Sequence, residues 1–259
     1  MRREKTLLLI SGHTKKAQGA DAHIPAAYWN QWRYGEYGDS ISEYEFANII
    51  LPLVKEICEK HGVNTFLDTR DKGWRQIKIN AAKYFKQTAM TKDFVHLSLE
   101  LHFNCFSKSS ANGVEILVQQ EDMHTKNPAS LLAQRFSELS EITLRRTDGL
   151  KILDHSDAGD NNLDQIERIS LHETLFEMFF GSCPADCSKI FRKKPQEIAE
   201  MLAESILHSF YDIDIHAAPE PSVPSYEPVD YVALRLKLDN AVAKYHNLKD
   251  GIQGVIDAN

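Results

Sequence analysis

Cysteine is scarce in this sequence, and its spacing is not that of a metal or redox pair. The four cysteines are Cys58, Cys105, Cys183 and Cys187, and none of them belongs to a CxxC pair. The interval from Cys183 to Cys187 is one residue too long for a zinc knuckle or a thioredoxin-type motif. We therefore expect reduced, partly buried thiols.

Long apolar runs are absent as well. The basic start, MRREK, is followed by an apolar segment that ends at Ile10, which is too short for the core of a secretory signal. No later run approaches the roughly 18 apolar residues of a membrane-spanning helix. We expect a soluble protein with no membrane span, synthesised in the cytoplasm without a signal peptide.

Charge and missing motifs exclude further classes of protein. The sequence has 37 acidic and 30 basic residues, a net charge of −7, which argues against a general nucleic-acid-binding protein. It contains no GxSxG motif, no Walker loop and no dinucleotide-binding glycine pattern. The HETLF segment at His172 has Phe176 where the HExxH motif of helical zinc peptidases requires histidine.

The sequence does contain an alternation of strand and helix patterns. With 259 residues, 42% of them hydrophobic, the chain can bury the core of one domain of about 200 residues plus an appendage. The alternation predicts an α/β fold, a twisted, mainly parallel sheet of about six strands flanked by helices, with a short helical C-terminal tail. The predicted strands are residues 6–11, 63–67, 98–106, 114–118 and 174–180, and the predicted helices are 42–61, 71–87, 128–142 and 195–211.

The segment SLELHFNCF, residues 98–106, has two different faces. With the two-residue period of a strand, one face is apolar and the other is polar and ionisable. The polar row consists of His96, Ser98, Glu100, His102 and Asn104. Such a row is either a solvated face of a sheet or part of a functional site. Partners for His102 from other segments would favour the second interpretation.

Three other segments carry candidate partners. His13 follows the first predicted strand, at the end where ligands collect in open α/β sheets. Glu177 lies within the apolar segment TLFEMFF, where a carboxylate should be paired, linked to a metal or held with a raised pKa. Glu43 and Glu45 lie in the first turn of the helix at residues 42–61, where carboxylates also serve as capping charges.

Four segments together resemble the signature blocks of a known enzyme family. They are GHTKK after the first strand, the helix from Glu43 to Gly62, SLELHFNCFSKSSANGVEILV and LFEMFFGSCPAD. In order and spacing, over residues 5–211, they are similar to the zinc-dependent N-acetylmuramoyl-L-alanine amidases of the amidase-3, or AmiC-like, family. The resemblance implies a hydrolase that cleaves the amide between the lactyl group of N-acetylmuramic acid and L-alanine in peptidoglycan.

The same resemblance implies the residues of the active site. By position, His13, Glu43 and His102 are expected to bind Zn²⁺, and Glu177 is expected to be the catalytic acid and base. Two imidazoles and a carboxylate form a familiar ligand set for catalytic zinc. A partly desolvated carboxylate suits proton transfer between water and a leaving nitrogen.

Neighbouring residues leave alternatives open. Glu45 is the main alternative to Glu43 as a ligand, although the distance of 19 residues to Gly62 favours Glu43. Glu100 shares the face of His102, so it is expected either to orient a ligand by a hydrogen bond or to replace one. Asn104, on the same face, is expected, like Glu100, either to support a metal ligand or to line the substrate cleft.

The C-terminal part predicts separate elements. We expect a catalytic domain over residues 1–213, a proline-rich, stiff linker over 214–229 and a helical tail over 230–259. From Tyr231 to Val255, apolar residues recur at alternating steps of three and four, a heptad pattern typical of coiled coils. The tail is therefore expected to form a homo-oligomer, to fold back on the domain or to bind the cell wall.

The sequence as a whole predicts a zinc amidase that degrades peptidoglycan. The compact catalytic domain, the short tail and the missing signal favour a phage or prophage endolysin, a bacteriolytic enzyme that reaches the cell wall after release or delivery. Two alternatives stay open: a zinc peptidase that cuts another amide of the stem peptide, and a non-catalytic wall-binding protein that keeps the fold. No role is predicted for the acidic segment 153–167.

Overall fold

The structure is a computed structural model that describes residues 5–32, 39–69, 74–86, 95–120, 122–153 and 170–216. The helices and strands named below all lie within one unit of the chain, Met1–Ile215. The predicted linker and tail, residues 214–229 and 230–259, lie outside the described residues except for 214–216. Residues 154–167 of the acidic segment lie outside them too, so the roles of these segments stay predictions.

The described strands form a main sheet and a small second one. They are β1 (Thr6–Ser11), β2 (Asp21–His23), β3 (Ser40–Ser42), β4 (Asn64–Asp68), β5 (Val95–Asn104), β6 (Glu115–Gln119), β7 (Leu150–Leu153) and β8 (Ser170–Phe180). The main sheet has six strands in the order β4-β1-β5-β8-β6-β7, and every pair is parallel except β6 with β8. β2 and β3 form a separate antiparallel pair. The predicted α/β fold with a mainly parallel sheet is confirmed.

Helices cover both faces of the main sheet. They are α1 (Trp29–Trp32), α2 (Glu43–Lys60), α3 (Trp74–Tyr84), α4 (Met123–Ser140), α5 (Pro184–Phe191) and α6 (Pro195–Tyr211). Buried side chains of α2, α4, α5 and α6 form the main core with one face of the sheet. A smaller cluster joins α3 to β1 on the other face, through Ile77, Ala81, Leu8 and Ile10. Because both faces are covered, β1 is buried along its whole length and its sequence is almost continuously apolar.

Several predicted boundaries are wrong. Helix α4 begins at Met123 rather than at Pro128, because Asp122 caps it by accepting a hydrogen bond from the backbone N–H of Thr125. Strand β8 begins at Ser170, earlier than the predicted residue 174. The sequence pattern does not predict α5, β7 or the β2–β3 pair. Strands of three or four residues are too short for a period to show, and the eight residues of α5 make only about two turns of helix.

One edge of the main sheet collects the candidate functional residues. β1 pairs with β4 on one side and with β5 on the other, which makes the carboxyl ends of β1 and β5 a switch point of the kind that binds ligands in α/β sheets. β5 pairs in parallel with β8, where His102 lies opposite Glu177. β6 runs in the reverse direction, so its first residue, Glu115, lies at the same edge and opposite Glu177.

Two further features concern the described helices and the cysteines. Within the described ranges, none of the helices has the length and apolar character that a membrane crossing requires. All four cysteines are free thiols, and of these only Cys105 is exposed.

Candidate metal centre

Three ionisable side chains meet at the carboxyl edge of the sheet. His13 comes from the segment after β1, Glu43 from the first position of α2 and His102 from β5, and their ligand atoms all lie within 4.8 Å of one another. Glu43 Oε2 lies 3.3 Å from His13 Nε2 and 3.0 Å from His102 Nδ1. The structure therefore brings together the three residues that the sequence predicts as metal ligands.

The start of α2 determines which glutamate faces the histidines. The carboxylate of Glu43 accepts hydrogen bonds from the backbone N–H groups of Ala20, at 2.9 Å, and Phe103, at 3.3 Å. Glu45 instead accepts a bond from the backbone N–H of Ser42, at 3.0 Å, and completes the capping box of the helix. Two residues along a helix differ by about 200° in direction, so Glu43 and Glu45 cannot both face the cluster.

His102 lies between two carboxylates. Its Nε2 atom is 3.1 Å from Glu100 Oε1, and Glu100 is fully buried. Burial is the largest single influence on the pKa of His102 and lowers it. The hydrogen bonds to Glu100 and Glu43 act in the opposite direction, and the net result is a pKa raised to about 10. Burial likewise opposes ionisation of Glu43, and bonds to His102 and His13 overcome it and lower the Glu43 pKa to about 2. The cluster therefore favours a cation between the carboxylates.

Two glycines let the backbone approach the cluster closely. A Cβ atom at Gly12 would lie only 2.2 Å from ring atoms of His102. Gly19 has a φ of +82°, and a Cβ atom there would lie 2.5 Å from His13 Cδ2 and 2.8 Å from Glu43 Oε1. No role for either glycine is predicted from the sequence alone. The only signal for Gly12 is its place directly before His13 at the end of a buried strand.

The donor set and its surroundings fit a divalent metal ion. Two imidazoles and one carboxylate are the ligands of many catalytic zinc sites, whereas calcium and magnesium prefer oxygen donors alone. The second nitrogen of His102 is held by the buried carboxylate of Glu100, an arrangement that fixes the ring of a metal-binding histidine. The two carboxylates supply the negative charge that a divalent cation requires.

Glu177 lies next to this cluster but is more open to solvent. It is the register partner of His102 across β5 and β8, so both side chains lie on the same face of the sheet. Its neighbours Phe176 and Met178 are fully buried on the opposite face, while Glu177 is partly exposed. Leu175, two positions before Glu177, is buried as well, so the apolar run around Glu177 reflects a strand that is covered on both faces. Asn104, half-buried, ends β5 just beyond a register shift, and its carbonyl accepts a bond from the Gly181 N–H at 2.8 Å.

Comparisons with known proteins agree with this architecture. A family profile described as N-acetylmuramoyl-L-alanine amidase, amidase-3, matches residues 7–208. A comparison with curated protein sequences found no match.

Three solved structures illustrate the likeness of the fold. The catalytic domain of CwlV, an N-acetylmuramoyl-L-alanine amidase from Bacillus (Paenibacillus) polymyxa var. colistinus, is 18% identical with a TM-score of 0.52, over 79% of this chain and 97% of that one. The amidase Ami1 from Mycobacterium smegmatis is 15% identical with a TM-score of 0.52, over 80% and 97%. The catalytic domain of the CD27L endolysin, which targets Clostridia difficile, is 16% identical with a TM-score of 0.53, over 79% and 97%.

Proposed function

Since the chain belongs to the N-acetylmuramoyl-L-alanine amidase family, we propose that it is a zinc-dependent peptidoglycan hydrolase. Its target is the amide bond between the lactyl group of N-acetylmuramic acid and L-alanine. The observation that carries the proposal is the convergence of His13, Glu43 and His102 from three separate segments, with ligand atoms within 4.8 Å. We assign these three residues as the zinc ligands.

The side chains at the site have separate roles in the reaction. A zinc ion held by the three ligands would supply Lewis acidity at the amide carbonyl and at the attacking water. Glu177, partly exposed beside His102, accepts a proton from that water on its carboxylate and delivers it to the leaving nitrogen of L-alanine. Glu100 holds the ring of His102 in place through the bond at Nε2.

We further propose a bacteriolytic role of the endolysin type, in which the enzyme acts on the bacterial cell wall. The likeness of the fold to the catalytic domain of the CD27L endolysin supports this role. Lysis of intact bacteria and of isolated walls by the purified protein, followed as loss of turbidity, tests it. Hydrolysis of isolated walls without lysis of any intact cell, either from outside or on expression inside the cell, would contradict the endolysin role alone.

The amidase proposal is tested by digestion of purified peptidoglycan. We expect metal-loaded protein to release chains with new L-alanine amino termini, identified by mass spectrometry, and chelator-treated protein to be inactive until zinc is restored. Glu177→Ala should lower the rate by about 100-fold to 10,000-fold, the usual contribution of a general acid–base. Glu200→Ala, which removes an exposed carboxylate of α6, is the matched control and should retain the rate.

The same digestion separates the alternatives. New amino termini other than L-alanine would indicate a zinc peptidase of the stem peptide. Binding to walls with no new termini would indicate a non-catalytic protein. A rate that survives complete chelation would contradict the zinc proposal, and zinc content measured on His102→Ala, with exposed His208→Ala as the control, tests the ligand set.

A further inference from the structure

A pair of arginines that the proposed reaction does not use lies near Glu177. Arg145 and Arg146 follow α4, and both reach the carboxylate of Glu115 at the start of β6. The Nε atoms of Arg145 and Arg146 lie 3.2 Å and 3.0 Å from the same oxygen, Glu115 Oε2. The Glu115 side chain is 4% exposed, whereas the two arginine side chains are 38% and 50% exposed.

The register of the sheet places this pair beside the candidate active site. Glu115 is the partner of Glu177 in the antiparallel pair of β6 and β8, and Glu177 is the partner of His102 in the parallel pair of β8 and β5. Register partners point to the same face of a sheet, and neighbouring strands are about 5 Å apart. Glu115 therefore lies one strand beyond Glu177 and two strands, about 10 Å, from the strand of His102.

Arg145 is held in position by several contacts. Its backbone N–H donates to the Val114 carbonyl at 2.9 Å, and the Val114 N–H donates to the Thr143 carbonyl at 2.9 Å. Its guanidinium carbon lies 4.8 Å from the centroid of the Phe180 ring. Gly113 has a φ of +110°, and a Cβ atom there would lie 2.9 Å from the Arg145 nitrogen. The segment thus depends on a glycine that lets the two backbones approach each other.

Two arginines share one carboxylate at this position. Glu115 supplies a single negative charge for both, and the next carboxylate along this face of the sheet is Glu177, one strand away. Arg146 also has a φ of +68°, a left-handed conformation that costs about 1 kcal/mol for a residue with a side chain. In the described part of the chain, each arginine contacts Glu115 through its Nε atom, and both arginine side chains are partly exposed. The two terminal nitrogens of each guanidinium, Nη1 and Nη2, form its outer edge, which is directed away from that contact. A planar fork of this kind is suited to a second carboxylate.

We propose that Arg145 and Arg146 bind a carboxylate of the substrate, the free α-carboxylate of the residue that follows L-alanine in the stem peptide. The inference rests on the proposed amidase function. Glu177 delivers its proton to the nitrogen of L-alanine, so the peptide beyond that nitrogen extends from the neighbourhood of Glu177. Two residues of chain span at most about 7 Å, which exceeds the spacing of about 5 Å between the strand of Glu177 and the strand of Glu115, the residue that holds both arginines.

The test compares two substrates that differ in this one carboxylate. They are N-acetylmuramoyl-L-alanyl-γ-D-glutamyl-L-lysine and the same compound with the glutamyl α-carboxylate amidated. We expect the protein to prefer the free acid in kcat/KM by about tenfold to 100-fold, the range of charge-assisted hydrogen bonds, and mainly through KM. In Arg145→Gln and Arg146→Gln this preference should fall to about twofold or less. Each single variant leaves one arginine on Glu115, which protects the fold.

The ratio of the two substrates distinguishes a binding role from a structural one. If the arginines only neutralised Glu115, their loss would lower stability and the rates on both substrates together, and the preference would persist. That outcome, or an equal kcat/KM for the two substrates in the unaltered protein, would overturn the proposal. Arg192→Gln, which removes an exposed arginine that pairs with Glu141 rather than with Glu115, is the matched control and should keep the preference.

A binding measurement separates this proposal from the amidase function itself. Calorimetric titration of the Glu177→Ala variant with the two compounds should give a tighter Kd for the free acid by a similar factor. If the protein binds with that preference but the unaltered enzyme cleaves neither compound, the amidase proposal fails and the carboxylate site stands. If it cleaves both without preference, the carboxylate site fails and the amidase proposal stands. Binding of neither compound overturns the carboxylate site.

Discussion

His102 is the residue through which the candidate metal centre is connected to the core of the protein. One ring nitrogen faces Glu43 and the other faces Glu100, at 3.0 Å and 3.1 Å. Because Glu100 is fully buried on β5, its carboxylate cannot move away without leaving a charge in the core. The orientation of the ligand is therefore set by the strand that carries it.

Loss of the Glu100 charge should weaken metal binding. We expect Glu100→Gln to lower the zinc affinity by about tenfold to 100-fold, because the partner that fixes a metal-binding imidazole has effects of that size. Competition with a chromophoric chelator measures this directly, independent of catalysis. Glu200→Gln, which alters an exposed carboxylate of α6, is the control. An unchanged zinc affinity in Glu100→Gln would show that His102 does not depend on this bond.

Metal binding should depend on pH through His102. Its pKa of about 10 in the metal-free cluster means that the ring is protonated at neutral pH and must lose that proton to bind a metal. Zinc affinity should therefore rise about tenfold per pH unit between about pH 7 and pH 9, with about one proton released per ion. Titrations at several pH values with proton uptake recorded measure both quantities, and a pH-independent affinity would contradict the assignment.

The raised pKa of His102 should also make the folding stability of the metal-free protein depend on pH. The pKa of His102 is raised from 6.5 to about 10, so the folded state holds the proton more tightly than the unfolded state does. The stabilisation is present in full below about pH 6.5 and is lost as the pH rises through about 10. Zinc-loaded protein should not show this loss, because the metal has already replaced the proton.

At the scale of elements, the start of α2 couples stability to the metal centre. Ser42 caps the helix by accepting a bond from the Glu45 N–H, and Glu43 is the first residue of the helix. Ser42→Ala should lower the free energy of unfolding by about 1 kcal/mol and also weaken zinc binding, because the first turn that presents Glu43 frays more. Denaturant titration and chelator competition give the two values.

A second helix cap provides the comparison. Asp122 caps α4 in the same way, through the Thr125 N–H at 3.1 Å, and α4 carries no candidate ligand. Asp122→Ala should therefore cost a similar free energy of unfolding, about 1 kcal/mol, with zinc affinity unchanged. Equal losses of zinc affinity in the two variants would show that global stability, and not the position of Glu43, explains the effect.

The strands show what a sequence can and cannot reveal. The alternation in residues 98–106 predicts the polar face of β5, because the period of a strand is visible in one segment. The arginine pair on Glu115 could not be predicted, since it depends on the antiparallel register of β6 with β8 and on a left-handed residue at Arg146. The close approach of Gly12 to His102 likewise depends on how two distant strands pair.

At the scale of the whole molecule, the alternation of strands and helices was sufficient to predict the α/β class. It was not sufficient for the full extent of α4 or β8, where a capping aspartate and polar strand residues override the apparent boundary. The choice of Glu43 over Glu45 followed from spacing along one helix, whereas the proximity of His13, Glu43 and His102 required the assembled sheet.

For the whole molecule, the prediction concerns the oligomeric state and depends on the C-terminal tail. If residues 230–259 form a coiled coil through their heptad pattern, the full chain should be a homo-oligomer, and removal of residues 217–259 should give a monomer. Light scattering coupled to size exclusion measures both masses. The residues removed lie beyond the unit Met1–Ile215, so the catalytic part should keep its fold. The same mass per molecule before and after removal would exclude oligomerisation by the tail.

The spacing of the three candidate ligands along the chain also has a consequence for folding kinetics. His13 and His102 are separated by almost 90 positions and meet only when β1 and β5 have paired, a contact of long range that forms slowly. A nascent or partly folded chain therefore has the donor atoms but not the site. Uptake of zinc by a refolding chain should appear once β1 and β5 have paired, which makes the ion a direct reporter of when that long-range contact forms.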